Sequence, residues 1–383
     1  MPSVLRWVLA FALACALALA AGCQTQQEES AAFGGLHPVL RFHRDSGYFY
    51  ADDERILLLG VEEPPVWVAF EELRPYPEVV DDFIALLKQS GVNLVVLYRY
   101  APWPVEFLQR LADAGIWLGI QVADVKEPVF GFPETGGAWG TLPDDEFIAE
   151  QMESIRSIVS AYGRLPNVAF WWLGGEFVEP VFRADGGRRI REIVRMYADE
   201  IRSLDGAGRP ITCSRHLLEY WDGNPFSGVT PIDLSDITDF TWITIATHMH
   251  LGDFVRDIPG ELAWLPVLDA MEDAAVLAHI LETAWDMNGR RPLYLGSWST
   301  KAPDAGVCGW SSELTRAQWD AIFGAVPSLG GAYWHVASHI QPSYEPHVLM
   351  YLDASGRLQP TDNLEGLSAA YSAAPARRLA GFR

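Results

Sequence analysis

Basic residues are scarce in this chain: 28 Lys and Arg stand against 50 Asp and Glu, a formal net charge of −22. A surface of that sign repels phosphate backbones and anionic headgroups, which excludes nucleic acid as a partner and direct electrostatic binding to lipid. Cysteine is scarce as well, with four in 383 residues, so no disulfide framework holds the fold together. Of these, Cys213 and Cys308 are left either to pair or to stay as two buried thiols, and their spacing leaves both open. The loop after the first barrel strand reads GVEEPPVW, without the glycine pattern that cradles a dinucleotide phosphate, which counts against a doubly wound open sheet. His248, His250 and Asp253 have metal-binding chemistry but no third ligand at a recognisable spacing, so neither a metal nor a cofactor is expected.

The one strongly apolar stretch is WVLAFALACALALAAG, behind Arg6 and ending at Cys23. It is too short for a comfortable transmembrane helix and closes on the small residues Ala20, Ala21 and Gly22, as a signal peptidase requires. The ending resembles a bacterial lipobox. That resemblance implies a signal peptide over residues 1–22, lipidation at Cys23 and, with Gln24 next, an outer-membrane address facing the periplasm or the cell surface. The following QTQQEES lacks the apolar content to pack, so residues 23–35 read as a flexible tether whose lipid is the only membrane contact.

Residues 36–383 then read as a single domain. Short apolar runs recur eight times, at 56–61, 92–98, 116–122, 167–173, 210–214, 242–248, 292–296 and 330–335, with helical patterns between them. VVDDFIALLKQSG shows the pattern: Val79, Phe83, Leu86 and Leu87 share a face, and Gly91 stops the helix. A short fifth helix is expected near PIDLSDITDF. Continuously apolar strands have both faces covered, the mark of a parallel sheet wrapped in helices. Eight such units predict an α/β fold of the (β/α)8 TIM-barrel type. The preceding VLRFHRDSGYFYADDERILLLG reads as a short β-hairpin segment with turns at Asp45-Ser46-Gly47 and Asp52-Asp53.

In such a barrel the working groups sit where strands end. The fourth strand ends in NVAFWWLGGE, placing Glu176 after two glycines that permit a sharp turn and leave room for a ligand. Beside Trp171, Trp172 and Phe177, a carboxyl is partly shielded from water, which favours its protonated form and suits a general acid. Fifteen tryptophans are many for this length. Trp103, Trp139, Trp221, Trp298 and Trp310 fall in predicted loops on the strand-end side, where flat indole faces suit sugar rings.

These motifs, with THMH ending the sixth strand, PLYLG in the seventh, GGAYWH in the eighth and a closing LMYLDASGRLQP, are similar in order and spacing to the clan A glycoside hydrolases, most of all the cellulase-like family 5 relatives. The resemblance implies action on β-linked oligo- or polysaccharide by a retaining mechanism, in which one carboxyl protonates the glycosidic oxygen and a second, about 5 Å away, attacks the anomeric carbon. Under it Glu176 is the acid/base, Arg99 positions the nucleophile, His248 or His250 contacts substrate, and Trp334 is the aromatic floor under one sugar; Trp298, from its predicted loop, is a further candidate substrate contact. Two positions depart from the pattern: Gly175 stands where Asn is usual, and Ser297 stands where the nucleophile belongs. A serine with no adjacent base cannot take that role. The second carboxylate is then sought in Glu62, Glu63, Asp124, Glu179, Asp253 or Glu261, with Asp124 also a candidate substrate contact. The alternatives are a carbohydrate-binding barrel without catalysis, or another chemistry on the same fold.

Overall fold

The computed structural model describes residues 40–62, 64–70, 72, 78–99, 102–126, 142–175, 177, 185–220, 231–245, 274–298, 312–333, 337–338 and 348–380. The expected signal and tether, Cys23 included, lie outside the described residues. Among those described, no helix is long and apolar enough to cross a membrane.

Three strands, β1 (Leu40–His43), β2 (Tyr48–Ala51) and β3 (Glu54–Ile56), form an antiparallel sheet. Its turns use Gly47 at φ 71° and Asp52 and Asp53 at φ 48° and 65°, left-handed conformations that Gly and Asp adopt at least cost. Then come β4 (Leu58–Glu62), α1 (Val66–Ala69), α2 (Val79–Gln89), β5 (Leu94–Leu97), α3 (Val105–Asp113), β6 (Trp117–Asp124), α4 (Asp145–Tyr162), β7 (Val168–Gly174), α5 (Asp185–Leu204) and β8 (Ile211–His216). After β8 the chain continues through β9 (Phe240–Thr244), α6 (Ala274–Met287), β10 (Leu293–Trp298), α7 (Ser312–Ala325) and β11 (Ser328–Tyr333). A small sheet, β12 (Ala337–Ser338), β13 (Met350–Leu352) and β14 (Leu358–Pro360), precedes α8 (Asp362–Ala380).

Strands β4 to β11 close into an eight-stranded barrel, parallel throughout, so the predicted TIM barrel with its N-terminal hairpin segment is what the chain forms. Local chemistry sets the helix ends. The Asp144 carboxylate caps α4 by accepting the Phe147 N–H at 2.8 Å, with Asp145 and Glu146 in the first turn, where the helix dipole favours negative charge. Gly91 follows α2 at φ 72°. The fifth helix expected near PIDLSDITDF is absent from residues 231–239, which hold a single turn over 235–237. There Asp233 accepts the Ser235 N–H at 2.9 Å, a local bond that competes with helical pairing. A 3-10 turn over Leu217–Tyr220 follows β8 instead.

Alternation along each strand divides the core in two. On β7, Trp171 and Leu173 join the layer between barrel and helices, while Phe170 and Trp172 point into the barrel. The inward group is continuous with Phe42 and Phe49 of the hairpin sheet, whose rings meet Phe240 at 5.7 and 5.6 Å. Burying aromatic rings of this size contributes about 2–3 kcal/mol each, and it plugs the barrel at the amino ends of its strands. Only the carboxyl ends remain to carry a site.

Candidate functional site

The inward faces of the strands lay the floor of that end. Trp172 stacks on Trp242 with centroids 4.7 Å apart and planes within 10°, and Tyr98 meets Trp172 edge-on at 4.9 Å. The Tyr98 hydroxyl donates to Glu62 at 3.0 Å. Glu62, the last residue of β4, is fully buried. Burial, and then the Glu62 charge, push the Tyr294 phenol well above its ordinary pKa, so it stays a neutral donor. Trp172 Nε1, Trp242 Nε1, Thr244 Oγ1 and Tyr294 Oη are buried and have no hydrogen-bond partner among the described residues.

On the rim Arg99, just past β5, clamps Asp124, the last residue of β6. Its Nε and Nη2 both donate to Asp124 Oδ2, at 2.9 and 2.7 Å. Gln121 Nε2 donates to Oδ1 at 2.7 Å, and the Asp124 N–H donates to Gln151 Oε1 of α4 at 2.9 Å. Arg99, expected to position a nucleophile, holds the carboxylate of Asp124 from the neighbouring strand. A cavity of about 250 Å³ opens beside Arg99, lined by Tyr98, Trp103, Gln121, Ser154 and Tyr162 among others.

The glycine pair closing β7 has a different cause from the one its sequence suggests. A Cβ on Gly174 would lie 2.1 Å from Asp124 Oδ1 and 2.8 Å from Gln121 Nε2. A Cβ on Gly175 would lie 2.1 Å from the Ser214 carbonyl oxygen and 3.0 Å from Cys213 Sγ. Both contacts are closer than side-chain carbons tolerate, so the glycines admit the groups of β6 on one side and β8 on the other. The freed space belongs to the protein.

Strand β8 and the 3-10 turn after it hold the chain on either side of residue 176. The Gly175 N–H donates to Ser214 Oγ at 2.9 Å, and the Phe177 N–H donates to Glu219 Oε1 at 3.0 Å. The same oxygen accepts the His216 N–H at 3.1 Å. Glu219 is held in turn by Arg215, whose Nε and Nη2 reach Oε2 at 3.0 and 2.5 Å while Nη1 donates to the Ile232 carbonyl. The two side chains are 4% and 0% exposed. Burial alone lowers a guanidinium pKa, but the Glu219 charge more than offsets it and the net direction for Arg215 is up. A buried pair with every polar atom engaged is stiff.

Of the residues singled out by sequence, Arg99 and Asp124 are thus brought together at the rim and Glu62 lies on the floor. Glu176, His248, His250 and Trp334 lie outside the described residues, as do Glu63, Glu179, Asp253 and Glu261. Trp298 is corrected in place. Expected in a loop, it is the final residue of β10, fully buried against Trp319, Phe323 and Tyr333 in the layer under α7. Trp103, also expected in an open loop, is 5% exposed and packs on Phe107. Ser297 belongs to β10. Cys213 is buried on β8 and Cys308 lies outside the described residues. Among the described residues no cluster of three or more His, Cys, Asp or Glu is placed to hold a metal. Sequence reasoning missed Gln121, Ser214, Arg215 and Glu219. The available signals were a lone amide in the apolar run IWLGIQV and the i, i+4 spacing of Arg215 and Glu219.

No family model matches the sequence, and neither does any curated protein. Solved structures do match. Saccharomyces cerevisiae Gas2p in complex with laminaritriose and laminaritetraose superposes with a TM-score of 0.52 at 12% identity, over 88% of this chain and 68% of that one. The β-glucuronidase from Ruminococcus gnavus, in complex with an N1-substituted uronic isofagomine, gives 0.58 at 12% identity over 87% of this chain. Bacteroides uniformis β-glucuronidase 2 gives 0.56 at 13% identity, again over 87%. This chain spans about half of the Ruminococcus protein and about a third of the Bacteroides protein, 52% and 36% of their lengths. What the chain shares with all three is the barrel fold.

Proposed function

We propose that this chain is a glycoside hydrolase acting on β-linked oligo- or polysaccharide, with Glu176 as the general acid that protonates the glycosidic oxygen. One observation carries the reading: the backbone on each side of residue 176 is fixed at the carboxyl ends of the strands, through Ser214 and the Arg215–Glu219 pair. A proton donor must be held to within a fraction of an ångström, and rigid support of this kind is what such positioning requires. One further observation supports a saccharide: the barrels to which this one is similar were solved with laminari-oligosaccharides and with an isofagomine.

The reaction protonates the leaving oxygen from Glu176 while a second group attacks the anomeric carbon from the opposite side. On this reading Glu176→Gln abolishes turnover of an aryl β-glycoside and leaves oligosaccharide binding, followed by tryptophan fluorescence, unchanged. Equal turnover in variant and parent refutes it. The competing reading, a carbohydrate-binding barrel without catalysis, is favoured by Ser297 at the place where the resemblance expects a carboxylate. It requires that no panel of β-glycosides be cleaved while oligosaccharides still shift the fluorescence. The proposal includes anchoring to an outer membrane through lipid on Cys23. Labelled palmitate incorporated by the parent and not by Cys23→Ala supports the anchor, and equal labelling refutes it.

A further inference from the structure

Outside the barrel wall, α4 helps to enclose a space that the proposed reaction does not use. The cavity of about 250 Å³ beside Arg99 is walled by Ser154, Ser157, Ile158 and Ala161, which share one face of α4. Ile120 lines it from β6, pointing into the layer between barrel and helices. We infer that this cavity binds one neutral sugar ring, as a saccharide site separate from the barrel mouth. The inference holds equally for a hydrolase and for a barrel that only binds carbohydrate.

The polar groups select the ligand. Arg99 spends Nε and Nη2 on Asp124, at 2.9 and 2.7 Å, which leaves the N–H groups of Nη1 without a partner among the described residues. Asp124 offsets the positive charge at that distance, so an anion gains little on entering, and the overall charge of −22 opposes its approach. Among the described residues no carboxylate lines the cavity to attract a cation. A neutral ligand with hydroxyls remains. Ser154 Oγ donates to the Val122 carbonyl at 2.9 Å and keeps its lone pairs for an incoming hydroxyl. Ser157, exposed on the same helical face, offers both a donor and an acceptor. Donors and acceptors gathered in one cavity suit sugar hydroxyls, each of which gives one hydrogen bond and takes another.

The apolar walls are fixed in advance. Trp103 Nε1 donates to the Tyr98 carbonyl at 2.8 Å, and the Tyr162 hydroxyl donates to the Trp103 carbonyl at 2.9 Å. Both polar ends are therefore engaged, and what the two residues have left for a ligand is ring surface, which suits the C–H face of a pyranose. Walls held in this way lose little freedom on binding. Sites for drug-sized ligands run from about 300 to 1,000 Å³, so this smaller one takes a single ring.

Radiolabelled glucose tests the site, because it has no glycosidic bond to cleave. In equilibrium dialysis at saturation, the parent should retain one more equivalent of glucose per chain than Ser157→Tyr, which pushes a ring into the cavity from an exposed position. Ser160→Tyr, exposed on α4 but outside the cavity lining, should retain as much as the parent. Ala161→Trp repeats the block one turn on, and unfolding midpoints show that each variant is folded. Glucuronate, offered in the same way, should be retained no better than glucose. Equal retention by the parent and a folded blocking variant, the same loss in Ser160→Tyr, no glucose retained by the parent, or glucuronate held more tightly than glucose and released by the block each overturn the inference. A parent that keeps this site but cleaves no β-glycoside sinks the hydrolase reading alone.

Discussion

The Glu219 carboxylate accepts the backbone N–H of Phe177 at 3.0 Å across the end of the barrel, while Arg215 holds its other oxygen. On the proposed reading Glu219 positions the residue just before Phe177, and its loss has two separable effects. Glu219→Ala leaves Arg215 buried without its counter-charge, which costs about 3–5 kcal/mol of stability. It also frees the peptide after residue 176, so kcat falls more than KM changes. Ser214→Ala removes only the acceptor for Gly175, at about 0.5–1.5 kcal/mol, and should show the same kinetic pattern more weakly. Urea midpoints and steady-state kinetics on the two variants check this. Full kcat in a destabilised but folded Glu219→Ala protein shows that the pair serves folding only.

Gly174 faces a carboxylate, which makes a double-mutant cycle informative. Gly174→Ala forces a methyl group onto Asp124 Oδ1 and should cost about 1–3 kcal/mol, as overpacking does. In an Asp124→Ala background that collision is gone, so the second substitution should cost much less there. Strong non-additivity in thermal or urea unfolding is the expected result. Additive losses mean that the carboxylate moves aside freely.

Acid sensitivity should trace in part to one pair remote from the site. Asp82 of α2 accepts hydrogen bonds from Arg357 and from the Leu358 N–H of β14. The Arg357 bond, ahead of the opposing effect of burial, holds the Asp82 pKa below its ordinary value. A depressed carboxylate pKa contributes stability that is present above the unfolded value of about 3.9 and is lost as the pH falls through the folded value. Unfolding midpoints measured from pH 6 down to pH 3 should therefore drop more steeply for the parent than for Asp82→Asn. Parallel curves show that the pair contributes nothing to the acid limb.

How much of this was readable in the sequence depends on how far apart the interacting residues lie. The eight strands were legible because each is an apolar run, and the α2 stop was legible because Gly91 follows a helical face. The glycine pair was misread: its cause lies in Asp124 and Ser214, residues 50 and 39 positions from the glycines they touch, and no local pattern carries that. Strand β8 was expected to end at Ser214. It runs on to His216, with Arg215 and His216 paired to Ile243 and Thr244 of β9, and Arg215 is buried there against Glu219, whereas a charged residue is seldom fully buried without such a partner. Trp298 reads as a loop residue because no local pattern marks Trp319, the indole it packs on.

The hairpin sheet that plugs the barrel gives its two ends different jobs. Leu40 opens that sheet and packs on the inward core at the stoppered end, whereas Arg99 and Asp124 meet at the carboxyl ends of the strands. Among the described residues, stability is therefore invested on one side of the barrel and the polar groups on the other, so a change in the plug should alter unfolding without touching the rim.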